Sequence, residues 1–199
     1  MKNKFLVGIT TLGLTALLFT SCSKLPQVEI DAANTAIEEA KLAEADIYVH
    51  DNFVALQDSL KAVMVTIETQ QSKFFKNYTA AKVDLTGVTE FAQKVKLQVE
   101  NRKAELEVEI ENTIAEVKTL IESNRQLILE APKGKEGTSA LMAIKDELNT
   151  IETTINEANS MLESGELLAT LDKANAAKEK ANSINTELTE VIAKYKAKR

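Results

Sequence analysis

One cysteine, one histidine and a surplus of carboxylates are what this chain offers to chemistry. Cys22 has no second cysteine to pair with, so neither a disulfide nor a thiolate metal cluster is available to it. Its thiol is left either unpaired or covalently modified. His50 is equally alone. A di-iron bundle wants paired Glu-x-x-His motifs, and a zincin wants two histidines one turn apart, so a single histidine excludes both. With Asp51 beside it and Asp46 one turn before it, His50 could join only a minor metal or pH-sensitive site. A solvated place at a helix junction is its plainer role. Glu105, Glu107, Glu109 and Glu111 alternate along the chain. On a helix alternate residues point to different sides, so these carboxylates make a solvated face and do not converge on a cation. No Gly-x-Ser-x-Gly elbow accompanies the many serines. Lys133-Gly134-Lys135-Glu136-Gly137 lacks the Gly-Lys-Ser/Thr and the preceding strand of a phosphate loop. No catalytic residue, metal or cofactor is expected.

Three aromatics, Phe74, Phe75 and Tyr78, fall close together. Core packing is one reading of them. The other is a partner-binding patch, because two adjacent phenylalanines cannot both face one narrow helical seam.

The start of the chain gives Cys22 its meaning. Lys2 and Lys4 precede an apolar run from Phe5 to Phe19, and Ser21 is the small residue before the cysteine. Basic start, short apolar core and small residue form a secretory signal. The run falls short of the roughly 20 apolar residues of a spanning helix. Leu18-Phe19-Thr20-Ser21-Cys22 resembles a lipobox, with Phe19 in the usual leucine position. The resemblance covers the first 22 residues. It implies that 1–21 is a lipoprotein signal peptide and that Cys22 becomes the mature N-terminus, carrying a diacylglycerol and an N-acyl chain. Ser23 and Lys24 follow. No aspartate stands there to favour inner-membrane retention, so the outer membrane, facing the periplasm, is the expected address.

Lys2 and Lys4 leave with residues 1–21 and no acid does, so 24 basic side chains become 22 against 30 acidic and the net charge moves from −6 to −8. Such a surface does not favour nucleic acid. No tryptophan, two prolines and an abundance of Ala, Glu, Lys, Leu and Ile argue for long helices.

After a short linker, 22–26, apolar residues keep a helical period almost to the end. The fold expected is all-α: an elongated antiparallel bundle of coiled-coil hairpins with about five helices. The first reads Ala33, Ala36/Ile37, Ala40, Ala43, Ile47, with Pro26 in its first turn and a break near His50-Asp51-Asn52, where Asp51 or Asn52 can cap the next start. The second reads from Phe53 through Ile67, Phe74/Phe75 and Tyr78 to Leu85. A turn is expected at Gly87, the alternative being a bend within one very long helix, since a single glycine costs only about 1 kcal/mol. The third runs from Phe91 to Leu127/Ile128. A loop at 131–137 divides an N-terminal bundle, 27–130, from a C-terminal hairpin, 138–199, with Thr138 or Ser139 as cap. The fourth helix carries Leu141, Ile144, Leu148, Ile151, Ile155, Ala158 and Leu162, steps of three and four that make a coiled-coil seam. Ser164-Gly165 ends it. The fifth reads Leu168, Leu171, Ala174, Ala177, Ala181, Ile184, Leu188, Val191, Tyr195, and its alanine-rich middle suits close approach by a neighbour.

Ile37-Glu38-Glu39-Ala40 echoes Ile155-Asn156-Glu157-Ala158, and Phe53-Val54-Ala55-Leu56 echoes Leu168-Ala169-Thr170-Leu171. Two diverged hairpins or merely similar heptads would both produce this. With the signal, Pro26, the alanine-rich start up to Ala45-Asp46-Ile47-Tyr48 and the Ala55/Leu56/Leu60 face, the first third resembles a family of bacterial lipoproteins of unknown function with tetratricopeptide-like hairpins. The tetratricopeptide signature itself, with its tryptophan and period of about 34 residues, is not present. The ending Lys194-Tyr195-Lys196-Ala197-Lys198-Arg199 compensates a helix dipole. It is also similar to the ends of murein-linked lipoproteins, although those end on lysine and this chain on Arg199.

The function expected is that of a lipid-anchored, non-enzymatic envelope protein: a helical spacer, scaffold or protein-binding module, held to the membrane through Cys22 and possessing an envelope protein partner. The alternatives are a periplasmic holdase-like or ligand-binding bundle, or a lipoprotein that contacts peptidoglycan.

Overall fold

Helix formers spaced at three and four residues need a neighbour to cover their apolar stripe, and the chain supplies that neighbour by folding back on itself. In the computed structural model, residues 24–198 are described and form six helices: α1 Gln27–Leu42, α2 Ala45–Tyr48, α3 His50–Gln71, α4 Thr79–Glu130, α5 Lys135–Glu163 and α6 Leu167–Ala197. The all-α bundle expected from the periodicity is what forms.

Ion pairs read out the directions. Glu29, Glu39 and Glu44 meet Lys82, Lys96 and Lys103 in turn, so α1 and the first half of α4 run parallel. Asn52 of α3 donates to Gln98, while Ser59 to Thr66 lie beside Val83 to Phe91, so α3 runs the other way. The second half repeats this plan. Glu116 and Glu130 of α4 meet Lys178 and Lys196 of α6, again parallel. Arg125 joins Glu152 of α5 at 2.7 Å, and Glu157 of α5 joins Lys173 of α6 at 2.8 Å, so α5 is the antiparallel member. Each exposed pair contributes only about 0–1 kcal/mol. Together they mark the register that the buried seams hold.

Two up-down-up trios therefore share one helix. The first core is built from Ile30, Ile37, Leu56, Ile67, Leu85 and Val95 with their neighbours, and the second from Leu106, Ile110, Val117, Ile151, Ile155 and Leu188 with theirs. Among the described residues α1 and α3 make no close contact with α5 or α6. The foot of α1 is level with the foot of α4, and the end of α6 is level with its end. The rod is thus about as long as α4 itself. Its 52 residues at 1.5 Å each reach about 78 Å.

The structure corrects four local expectations. Gly87 is no turn but an exposed position inside α4, with nothing within 4 Å of where a Cβ would stand. Packed positions on either side outweigh one glycine's cost. The true break falls earlier, at Ser72–Tyr78, where apolar spacing ran on through a corner. Asp51 and Asn52 do not cap, because α3 already begins at His50. Thr138 does not cap either: α5 begins at Lys135, and the Thr138 N–H donates to the Gly134 carbonyl at 2.9 Å.

The glycines divide by role. Gly165, at φ 82°, ends α5: its N–H reaches the Leu162 carbonyl and that of Glu166 reaches Met161, a Schellman closure. At Gly137 a Cβ would stand 2.7 Å from the Pro132 carbonyl oxygen. Gly87→Ala should therefore raise stability by about 1 kcal/mol. Gly137→Ala should lower it despite the same gain in helix propensity. Urea unfolding of the two variants checks the opposite signs.

The alanine stripe Ala174, Ala177, Ala181 is buried in α6, whose packing with α4 is the most extensive among the described helices. The seam enters α6 at Leu167 and leaves at Ile192, so Leu168 and Val191 of the expected stripe are exposed. Phe53 is buried while its counterpart in the echo, Leu168, is not. Three polar side chains, Thr113, Asn124 and Thr170, are buried along the second core, and Asn124 forms a hydrogen-bonded layer there. Asn124, fully buried, donates to the Ala181 carbonyl at 2.8 Å and accepts from Asn185 at 2.8 Å. Asn124→Ala should destabilise by about 1–3 kcal/mol, since it leaves the Asn185 amide short of its acceptor. Chemical denaturation checks this.

Candidate functional site

Pro26 sits buried at the N-cap of α1, and its carbonyl accepts from the Ile30 N–H at 3.0 Å. This fixes where the chain enters the rod. Lys24, Leu25 and Val28 line one shallow groove with Tyr78, Thr79 and Lys82, so the entering chain lies against the foot of α4. Glu29 and Lys82 close that contact at 2.7 Å. The Lys82 ammonium, helped by the Glu29 backbone N–H, holds the Glu29 carboxyl below its ordinary value. A lowered carboxylate pKa means the tie is complete above the ordinary range and is lost as the pH falls through the lowered value.

The corner between α3 and α4 lies at this same end. Ser72 closes α3, and Asn77 accepts from the Thr79 N–H at 2.9 Å, an Asx turn that launches α4. Tyr78 turns inward and is buried in the first core. Phe74 and Phe75 turn outward, 93% and 81% exposed, with their rings edge to face at 5.0 Å. The expected aromatic trio is thus split. Tyr78 packs, and the two phenylalanines form the most exposed large apolar pair among the described residues.

Midway along the rod, Val99 ends one core and Leu106 begins the next. Tyr48 of α2 packs against both, covering the gap. The Lys103 ammonium lies 4.8 Å from the centre of its ring and pairs with Glu44. Glu44 holds a left-handed φ of 71°, a conformation that costs a non-glycine residue about 1–2 kcal/mol. This joint is a built structural feature that apolar spacing did not reveal. An Ala45-Asp46-Ile47-Tyr48 stretch read as plain helix carries no sign that its tyrosine bridges two cores.

Comparison with protein families, with characterised proteins and with solved structures returned no match.

Cys22 and Arg199 lie outside the described residues. His50 is exposed, its Nδ1 3.1 Å from the Asp46 carbonyl oxygen. Glu105, Glu107, Glu109 and Glu111 are all exposed around α4, while Leu106 and Ile110 between them face the core. Among the described residues no three His, Cys, Asp or Glu side chains group so as to hold a metal ion. Lys133 and Gly134 are exposed in the short connection before α5. Near the C-terminus, Lys196 reaches Glu130 at 3.4 Å and Lys194 reaches Glu190 at 3.3 Å, so these bases pair with acids of the rod.

Proposed function

We propose that this chain is a lipid-anchored, non-enzymatic spacer of the bacterial cell envelope, attached through Cys22. The observation that carries the reading is the place where the chain enters. Lys24 stands two residues after Cys22, at one end of a rod about 78 Å long, not along its side. An acylated Cys22 would therefore hold the rod by its foot and leave the far end, where α4 and α6 finish together, free to stand away from the membrane. The lipobox resemblance at Leu18–Cys22 supports the anchor. The acidic surface and the ion-paired basic residues at the far end support a solvated shaft. The exposed, scattered carboxylates and the lone His50 supply no catalytic set.

Globomycin, which blocks lipoprotein signal peptidase, tests the anchor. Treated cells should accumulate a precursor that retains residues 1–21. Unchanged processing would overturn the reading.

A further inference from the structure

The foot of the rod has a chemistry unlike its shaft. Four exposed apolar side chains gather there: Leu25, Val28, Phe74 and Phe75. Three exposed lysines accompany them, Lys24, Lys73 and Lys76. The Ser72–Tyr78 corner contains no acid at all, in a chain whose acids outnumber its bases 30 to 24. Apolar rings set between lysines are the composition of a surface that lies in a bilayer interface: rings enter the acyl boundary and ammonium groups meet phosphates. The charge matches an anionic lipid surface, and the rest of the rod, being acidic, would be repelled by one.

Position agrees with composition. Cys22 is separated from Lys24 by one residue, and Lys24 and Leu25 share a groove with Tyr78 and Thr79. A lipid on Cys22 would bring the bilayer to the corner that carries Phe74 and Phe75.

We propose that the Ser72–Tyr78 corner is a membrane foot: Phe74 and Phe75 insert into the lipid interface while Lys24, Lys73 and Lys76 contact anionic headgroups, so that the rod is set upright on the bilayer. This rests on the anchoring of Cys22. A lipid at Cys22 alone is a single point of attachment and would not fix the angle of the rod to the membrane. A second point of insertion at the same end fixes its direction.

The absence of tryptophan makes the test clean. Phe75→Trp and, separately, Leu129→Trp at the far end each give the full-length acylated chain a single tryptophan, excited apart from its three tyrosines; Leu129 is exposed. Both proteins are placed in vesicles of phosphatidylethanolamine and phosphatidylglycerol, with and without bromine on the acyl chains. Loss of emission at position 75 in brominated vesicles, with none at 129, is the expected result. Vesicle-bound protein whose Trp at 75 is unquenched overturns the membrane foot and leaves the anchor standing; the phenylalanine pair would then face a protein partner. Equal quenching at both positions means a rod lying flat and overturns the upright foot. Protein that does not float with the vesicles overturns the anchor, and the foot with it.

Discussion

A Cys22→Ser chain should incorporate no labelled fatty acid, retain residues 1–21 and disappear from the outer-membrane fraction. The expected effect is near total because the described part of the molecule offers little else to hold it there. No helix among the described residues is long and apolar enough to cross a membrane. The net charge, −6 for the whole chain and −8 were residues 1–21 removed, works against binding to anionic headgroups. Each buried methylene contributes about 0.8 kcal/mol, and one acyl chain alone gives only marginal, reversible binding. Two or three chains on one cysteine give lasting attachment, whereas two exposed phenylalanines do not. Metabolic labelling and fractionation measure the outcome. Serine-bearing protein that still incorporates label would contradict the assignment of Cys22, and so would mature protein retained at the wild-type level.

Ala104→Pro should divide the rod at its joint. Ala104 is exposed in the interior of α4, between the last residue of one core, Val99, and the first of the next, Leu106. Proline there removes a helical hydrogen bond and clashes with the preceding turn, at a cost of about 3 kcal/mol or more. Neither core loses a side chain. Both trios should therefore persist while their coupling through α4 weakens, and thermal unfolding should separate into two transitions where the parent is expected to show one. Tyr48 and the Glu44–Lys103 pair would remain as the residual link. A variant that unfolds in one step at the parent's temperature would contradict a shared helix as the main coupling.

Much of this fold is legible in the sequence because helical seams are periodic and periodicity is what burial requires. Leu148, Ile151, Ile155 and Ala158 are buried where their three-and-four spacing puts them. The same holds for Val95, Val99, Ile110 and Val117 along α4. The errors come where periodicity is indifferent to what decides. Phe74 and Phe75 continue the apolar rhythm of α3, yet the chain turns beneath them. Asn77, whose side chain binds the Thr79 N–H, was the available signal for a new helix start. Gly87 misleads in the opposite direction, because a local propensity cost of about 1 kcal/mol is overridden by packing on both sides. The direction of packing is not written in spacing at all. That α1 and α6 both run parallel to α4 depends on which stripes meet, and only the cross-helix pairs from Glu29–Lys82 to Glu130–Lys196 reveal it. The end we propose as the membrane foot is legible only in part. Cys22 announces itself, while the gathering of Lys24, Val28 and Phe75 at one foot depends on residues some fifty positions apart coming level.

One unbroken helix, α4, runs the length of the rod. Acylation of Cys22 would consume the only native thiol, so cysteines introduced at Val83 and Leu129, both exposed, would be the only sites for spin labels. Pulsed electron resonance on the full-length, vesicle-bound protein then measures the span of α4 directly. Forty-six residues of continuous helix predict a narrow distribution near about 69 Å. A markedly shorter or broad distribution, from a turn at Gly87 or a break between Val99 and Leu106, would contradict the rod.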